Sequence, residues 1–388
     1  MPEFDAIVVG GGPGGCSAAI SLAQRGARVL LLEEKHMPRG KLCGEFVTPE
    51  SFPTLERLGV MQRMISAGAQ KIERASLVVS SGKSVQTYIS KISENGTWAM
   101  SLSRSRFDQI LFDRAREAGV ECREGVAVKR CLFDSGAPRG VETLLLPEGA
   151  SASFEAPVII DASGRNSRLM LGKRERVAGP RGSRLYAMKA HLDGVQGIED
   201  QVELHFFRQG YGGFSRVEGG LVNLCFIVDE RTLRRAAGDP LRVLEICLIS
   251  NKVARDRLEG SKVVGKWYSA GPLTFGRKRL GRDGVLAIGD ASGMIDPFTG
   301  TGIQMALRTG ELAAETIIGA NGEAGAALKQ YALYYEHEFG DRLKAAGRLR
   351  GLAFSPKAAR LAAGVLARVP GLTSLILRAT RTTSGKPG

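Results

Sequence analysis

A glycine run set directly after a short apolar strand is the feature that most constrains this chain. Phe4-Asp5-Ala6-Ile7-Val8-Val9 is apolar and β-branched and reads as a buried strand. It runs into Gly10-Gly11-Gly12-Pro13-Gly14-Gly15, which opens a helix predicted over about 14–24. The next strand, Arg28-Val29-Leu30-Leu31-Leu32, is closed by Glu33 and Glu34. Gly10, Gly12 and Gly15 stand in the G-x-G-x-x-G arrangement. The first permits a tight turn, the second lets a pyrophosphate approach the backbone, and the third lets helix and strand pack closely. Free N–H groups at the helix start and the helix dipole favour phosphate there. Glu33 is placed to accept hydrogen bonds from ribose hydroxyls. A glycine-rich surface turn would not account for the acid, so the segment predicts a dinucleotide site.

A length of 388 residues suits two interleaved domains, and 43% hydrophobic content supports a sizeable core. The net charge of +14 directs attention to acidic partners or surfaces. Zinc-finger spacing and a basic zipper are both missing, so no nucleic-acid partner is expected. The six cysteines form no Cys-x-x-Cys pair and read as reduced thiols of a cytoplasmic protein. The four histidines show no metal-ligand spacing, and no metal is expected. The fold begins almost at residue 1, leaving no room for a signal peptide, and no apolar run is long enough to span a bilayer.

Helix and strand signals alternate to about residue 60, and 75–90 turns to alternating, β-branched sequence. An amphipathic helix follows Arg104 and stops at Gly119. Short strands end in Pro157-Val158-Ile159-Ile160-Asp161, and 175–270 is again strand-rich. Gly284-Val285-Leu286-Ala287-Ile288-Gly289-Asp290 is a second strand meeting a glycine turn, with a helix of about 301–318 behind it. The remainder is helical and basic. The predicted class is α/β: a discontinuous Rossmann-like cofactor domain (1–74, 101–174 and 271–320), a mixed β-sheet substrate domain (75–100 and 175–270), and basic C-terminal helices (321–388).

Four blocks, in order, carry a family resemblance: the opening fingerprint with Glu33, Arg104-x-x-Phe107-Asp108, Asp161-Ala-Ser-Gly164, and Gly289-Asp290-Ala291 through Pro297 to Gly300-Thr301-Gly302. Together they resemble the flavin-dependent oxidoreductases of the p-hydroxybenzoate hydroxylase and geranylgeranyl reductase type. The resemblance covers most of residues 1–320 and implies FAD as cofactor. It places the adenosine end at Gly10, Gly12, Pro13, Gly14, Gly15 and Glu33, and adds Glu34, Arg39, Arg104, Asp161 and Gly164 as further cofactor contacts. It places the ring end at Cys43, Gly44, Gly289, Asp290, Pro297, Gly300, Thr301, Gly302 and Ile303. Physically, Asp290 accepts from a ribityl hydroxyl or simply caps a turn, and the helix start at 301–303 faces the edge where charge gathers on reduction. Arg104, a cation at a helix start, needs an anionic partner or is a solvated charge. Asp161 supports the cofactor or forms an ordinary turn.

Two loops carry the catalytic candidates. Cys43 lies in Arg39-Gly40-Lys41-Leu42-Cys43-Gly44-Glu45, similar to a Cys-Gly block that lies beside the ring in geranylgeranyl reductase-like proteins. Arg39 and Lys41 would lower its pKa; alternatively it is a structural thiol. Tyr211 and Phe214, in a Gly-rich hairpin, either wall the substrate side of the flavin or are core aromatics. The hairpin lacks the tryptophan usual in the reductases. Trp98 and Trp267 lie in no halogenase-like motif, so halogenation is disfavoured.

With one dinucleotide fingerprint, electrons are expected from NAD(P)H as a transient visitor, or from a separate reductase or ferredoxin. The reaction is then oxygen-dependent hydroxylation or geranylgeranyl reductase-like alkene reduction of an apolar, prenyl or polyketide-like aromatic-lipid substrate. A non-enzymatic flavin redox sensor is the remaining alternative. From 341 to 388 there are ten Lys/Arg against one acid, interleaved with leucines. That pattern suits either peripheral attachment to the anionic inner face of a membrane or a solvated cationic face over the core.

Overall fold

A computed structural model describes residues 2–353, apart from 80, 81, 94, 95, 97, 148, 168, 170–183, 208, 209 and 250. The apolar strand Ala6–Val9 lies between Val29–Glu33 and Val158–Asp161, parallel to both. Glu121–Glu124 and Val285–Ala287 extend this sheet in parallel, and Gly281–Arg282 closes one edge antiparallel. All four residues of Ala6–Val9 are buried, as a strand covered on both faces requires. Helices Pro13–Ala23, Arg104–Glu117 and Gly302–Gly319 cover one face; an antiparallel trio (126–134, 137–145, 151–155) covers the other. Each Leu, Ile or Phe buried between them contributes about 1.5–3 kcal/mol.

The glycines of the fingerprint explain this packing. A Cβ on Gly15 would lie 1.9 Å from the Gly10 carbonyl oxygen, and one on Gly310 would lie 2.4 Å from that of Gly14. The fingerprint helix therefore touches both the first strand and the distant Gly302–Gly319 helix, to which Ser17 also donates at the Leu307 carbonyl (2.7 Å).

The second sheet has seven strands in the order 262–270, 185–193, 222–229, 210–216, 201–207, 74–78, 84–88. Arg74–Val78 enters it parallel to Gln201–Phe207. Ala99 and Met100, which the sequence groups with this sheet, belong to the strand Ala99–Ser101, which pairs with Phe46–Val47 and Gln70–Ile72. Three short helices, Glu230–Arg235, Pro240–Cys247 and Lys252–Leu258, interrupt the strand-rich region and cover the sheet's far face. Their apolar residues, among them Val243, Leu244 and Cys247, recur at helical rather than strand spacing. The C-terminal helix is Ala324–Ala353; the rest of the basic tail lies outside the described residues.

Candidate active site

Two guanidiniums and the two carboxylates they pair with surround the glycine loop. Gly12, at the cap position before the fingerprint helix, offers no side-chain cap, so the first N–H groups of the helix are left to a ligand. A Cβ on Gly12 would stand 3.8 Å from Arg39 Nη2 and 4.0 Å from Arg104 Nη2. Both guanidiniums are buried. Arg39 donates to Glu33 (3.1 Å) and Asp108 (3.0 Å), and Arg104 forks onto Asp108 with two 2.7 Å bonds. Asp108, four residues on, is thus the anionic partner that a cation at a helix start needs. Burial disfavours the Arg104 charge, but Asp108 outweighs it and holds the guanidinium protonated.

Glu33 is buried and accepts from the Gly11 N–H (2.8 Å), from Arg39 and from the Lys35 N–H (3.1 Å). It therefore organises the glycine loop itself, with about one of its four lone-pair positions left over. Glu34 is exposed. Asp161 accepts from the Ser163 N–H (3.0 Å) and hydroxyl (2.6 Å) and from the Ser167 hydroxyl. It holds the turn around Gly164, whose φ of +87° suits glycine. Burial pushes its pKa up against those bonds.

At the other end, Gly289 (φ +57°) donates to Thr309 at 2.9 Å. Asp290 lies in the same tight turn, half-buried, with no hydrogen bond to its carboxylate among the described residues. Pro297 is exposed and starts the turn 297–299; Gly300 ends it at φ +70°, beneath Phe46. Thr301 and Ile303 are buried, whereas a Cβ on Gly302 would meet nothing within 4 Å. The start of this helix therefore borders open space. So does Gly44, in the Cys43 loop.

Cys43 is half-buried. Its Sγ accepts from the Glu45 N–H (3.3 Å), and its carbonyl accepts from Asn223 (3.2 Å). The guanidinium interacting with the thiol is that of Arg104; of the two cations the sequence pointed to, Arg39 and Lys41, Arg39 is committed to Glu33 and Asp108. Lys41 keeps a solvent-exposed side chain, its Nζ 3.5 Å from where a Cβ on Gly164 would stand; the protein mass crowding it and then Arg39 lower its pKa.

The hairpin aromatics divide. Tyr211 and Phe214 share the strand Gly210–Arg216, and an odd separation sends them to opposite faces. Tyr211 faces the cofactor side, among Ala187, Ile227, Ala270, Leu42 and Phe298. Phe214 is fully buried on the far side with Phe226 and Leu244, edge-on to His205. Phe214 is a core residue and does not wall the cofactor side.

Two buried carboxylates on the cofactor-side face escaped the sequence reading. Glu45, in left-handed backbone at φ +57°, is bonded to Lys189, to His191 Nε2 (2.6 Å) and to the Arg104 N–H (2.7 Å). Burial opposes its charge, but His191 and Lys189 hold its carboxyl below the usual range. Asp296 accepts from the Tyr211 hydroxyl at 2.5 Å, and burial pushes its pKa up. A lysine alternating with Leu185 and Ala187 on one strand face was the available signal for the first. For the second, the signal was the Asp-Pro step before Gly300.

The cradle fits a flavin dinucleotide: two guanidiniums flank an open helix start, Arg39 Nε is buried without a partner, and the second helix start faces open space. This fold and site define an FAD-dependent oxidoreductase. Residues 3–214 match the FAD binding domain family, and the chain belongs to it. It is 30% identical over 357 residues to digeranylgeranylglycerophospholipid reductase 2 of Methanopyrus kandleri, covering 88% of this chain and 84% of that protein. It is 25% identical to the 1H-pyrrole-2-carbonyl-[peptidyl-carrier protein] brominase of Pseudoalteromonas luteoviolacea, over 81% of this chain and 77% of that protein. A solved flavin-dependent brominase shares the fold at TM-score 0.79 and 22% identity, covering 97% of this chain and 93% of the other. The disfavouring of halogenation therefore has no support here: a brominase stands beside a reductase among the relatives. No helix among the described residues is long and apolar enough to cross a membrane.

Proposed function

We propose that the chain reduces carbon–carbon double bonds of an apolar, prenyl-type substrate. The observation that carries this is the apolar half of the sheet's cofactor-side face: Ala187, Tyr211, Ile227 and Ala270 gather against Leu273, with half-buried Leu42 and Phe298 at their margin. Such a wall suits a hydrocarbon chain and excludes water. The reductase relative's name, a geranylgeranyl lipid, is of the same chemical class.

The N–H groups of the fingerprint helix, with Arg39 and Arg104, would hold the FAD pyrophosphate; Glu33 would take the ribose, Asp290 the ribityl chain, and 300–303 the ring edge. A helix start contributes about 0.3–1 kcal/mol towards a nearby anion. When bound, FAD supplies hydride transfer. The Cys43 loop, gripped by Lys189 and Asn223, shapes the ring end. Electrons come from a transient donor, NAD(P)H or a reductase or ferredoxin.

The test is anaerobic incubation of FAD-loaded, dithionite-reduced protein with a geranylgeranyl lipid, read by mass spectrometry. A gain of two hydrogens per double bond supports the reading. No saturation anaerobically, with an oxygenated product on admitting air or a brominated one on admitting air and bromide, overturns it.

A further inference from the structure

The carboxylate of Asp296 is doing more than its position requires. Its Oδ1 caps the turn before Gly300 by accepting from the Phe298 N–H (3.3 Å), and the same oxygen takes the Tyr211 hydroxyl. Its Oδ2 is buried without a hydrogen-bond partner; the nearest cation, Arg350 of the C-terminal helix, is 3.8 Å away. Tyr211 from the hairpin and Arg350 are the titratable or charged groups facing this carboxyl. Arg350 is half-buried and lies over the Phe275 ring. Burial outweighs Arg350 at that distance: an ionised carboxylate with an oxygen that accepts no hydrogen bond is costly among apolar side chains, and the neutral acid relieves that cost. Lys189 and His191, the other titratable groups of this face with a carboxylate partner, are committed to Glu45.

We propose that Tyr211 and Asp296 are the proton-donating pair of the site, Tyr211 as the catalytic acid and Asp296 as the residue that resupplies it. The proposal rests on the alkene-reduction reading. Saturating a double bond needs a hydride at one carbon and a proton at the other. Reduced FAD is the reductant; it gives up two electrons with the hydride and is itself oxidised. The Tyr211 O–H bond breaks as the second C–H bond forms. With the phenol proton gone, the carboxyl of Asp296 turns to become the donor and gives its own proton to the phenolate, and Asp296 regains a proton from water on the partly exposed Arg350 side. The product has gained two hydrogens, and both residues end as they began.

Two measurements on the full-length holoprotein test this. Infrared spectroscopy should show the carbonyl stretch of a protonated carboxylic acid at neutral pH, lost in Asp296→Asn and displaced in Tyr211→Phe. In anaerobic stopped-flow, Tyr211→Phe should slow reoxidation of the reduced flavin by a geranylgeranyl lipid by about 100-fold or more, with KM and FAD affinity changed little. Asp296→Asn keeps the cap acceptor and the shape, and should slow the same step. Both variants turning over within about threefold of a wild type that saturates the lipid would overturn the pair. A wild type that saturates no lipid fails the functional reading on its own; the missing acid band is then what overturns the pair.

Discussion

One sheet face holds two buried carboxylates in opposite circumstances. Glu45 is surrounded by donors, namely Lys189, His191 and the Arg104 N–H, and its pKa is held down. Asp296 sits in the apolar half with the Tyr211 phenol and the Phe298 N–H on one oxygen and, at the other, no hydrogen bond and only Arg350 at 3.8 Å, and burial pushes its pKa up. The polar half grips the Cys43 loop and ties it to the Arg104 helix; the apolar half packs Ala187, Tyr211, Ile227 and Ala270 against Leu273. What sets the two acids apart is the number and charge of the donors within reach, since both residues are equally hidden from water.

The contrast breaks most visibly at Lys189. Lys189→Met should cost about 3–5 kcal/mol in urea unfolding, because Glu45 keeps a buried charge and loses its main counter-ion. Adding Glu45→Gln should recover much of that loss. Phe214→Ala should cost a similar 3–5 kcal/mol as a cavity in the far-side core, yet leave the bound-flavin spectrum as in wild type. An altered spectrum would return Phe214 to the cofactor side.

Tyr211→Phe should cost less, about 1–3 kcal/mol, since it removes a single hydrogen bond to a carboxyl that can turn neutral. The pH dependence of stability separates the two acids by sign. The folded pKa of Glu45 is depressed, so its contribution is complete above the unfolded value and lost as pH falls through the folded one. The folded pKa of Asp296 is raised, so its charge penalises the fold above that value and is relieved as pH falls through it towards the unfolded value near about 3.9. Asp296→Asn should flatten stability in the window just above the ordinary carboxylate range, and Glu45→Gln in the window just below it. Unchanged profiles would refute the assignment.

The smallest effect is expected at Gly302. With no atom within 4 Å of an added Cβ, Gly302→Ala should leave apoprotein stability within about 0.5 kcal/mol while weakening FAD binding. The opposite pattern belongs to Gly15→Ala, where the 1.9 Å approach to the Gly10 carbonyl strikes the fold itself.

Much of the cofactor half was legible from residue order alone. A strand, a glycine turn and a helix are local events, and their spacing carries the phosphate chemistry with it; the second glycine block at 289–302 is local in the same way. The alternation that puts Tyr211 and Phe214 on opposite faces was also written in the chain, as an odd separation within one strand. Tertiary structure alone decided which carboxylate meets which donor. Arg104 finds Asp108 within its own helix, but Glu45 meets Lys189 across 144 positions and Asp296 meets Tyr211 across 85. The charge state of a buried acid depends on the dielectric and the donors gathered around it in space. For Glu45 and Asp296 those surroundings come from strands far away in sequence, and they exist only once the two sheets have packed.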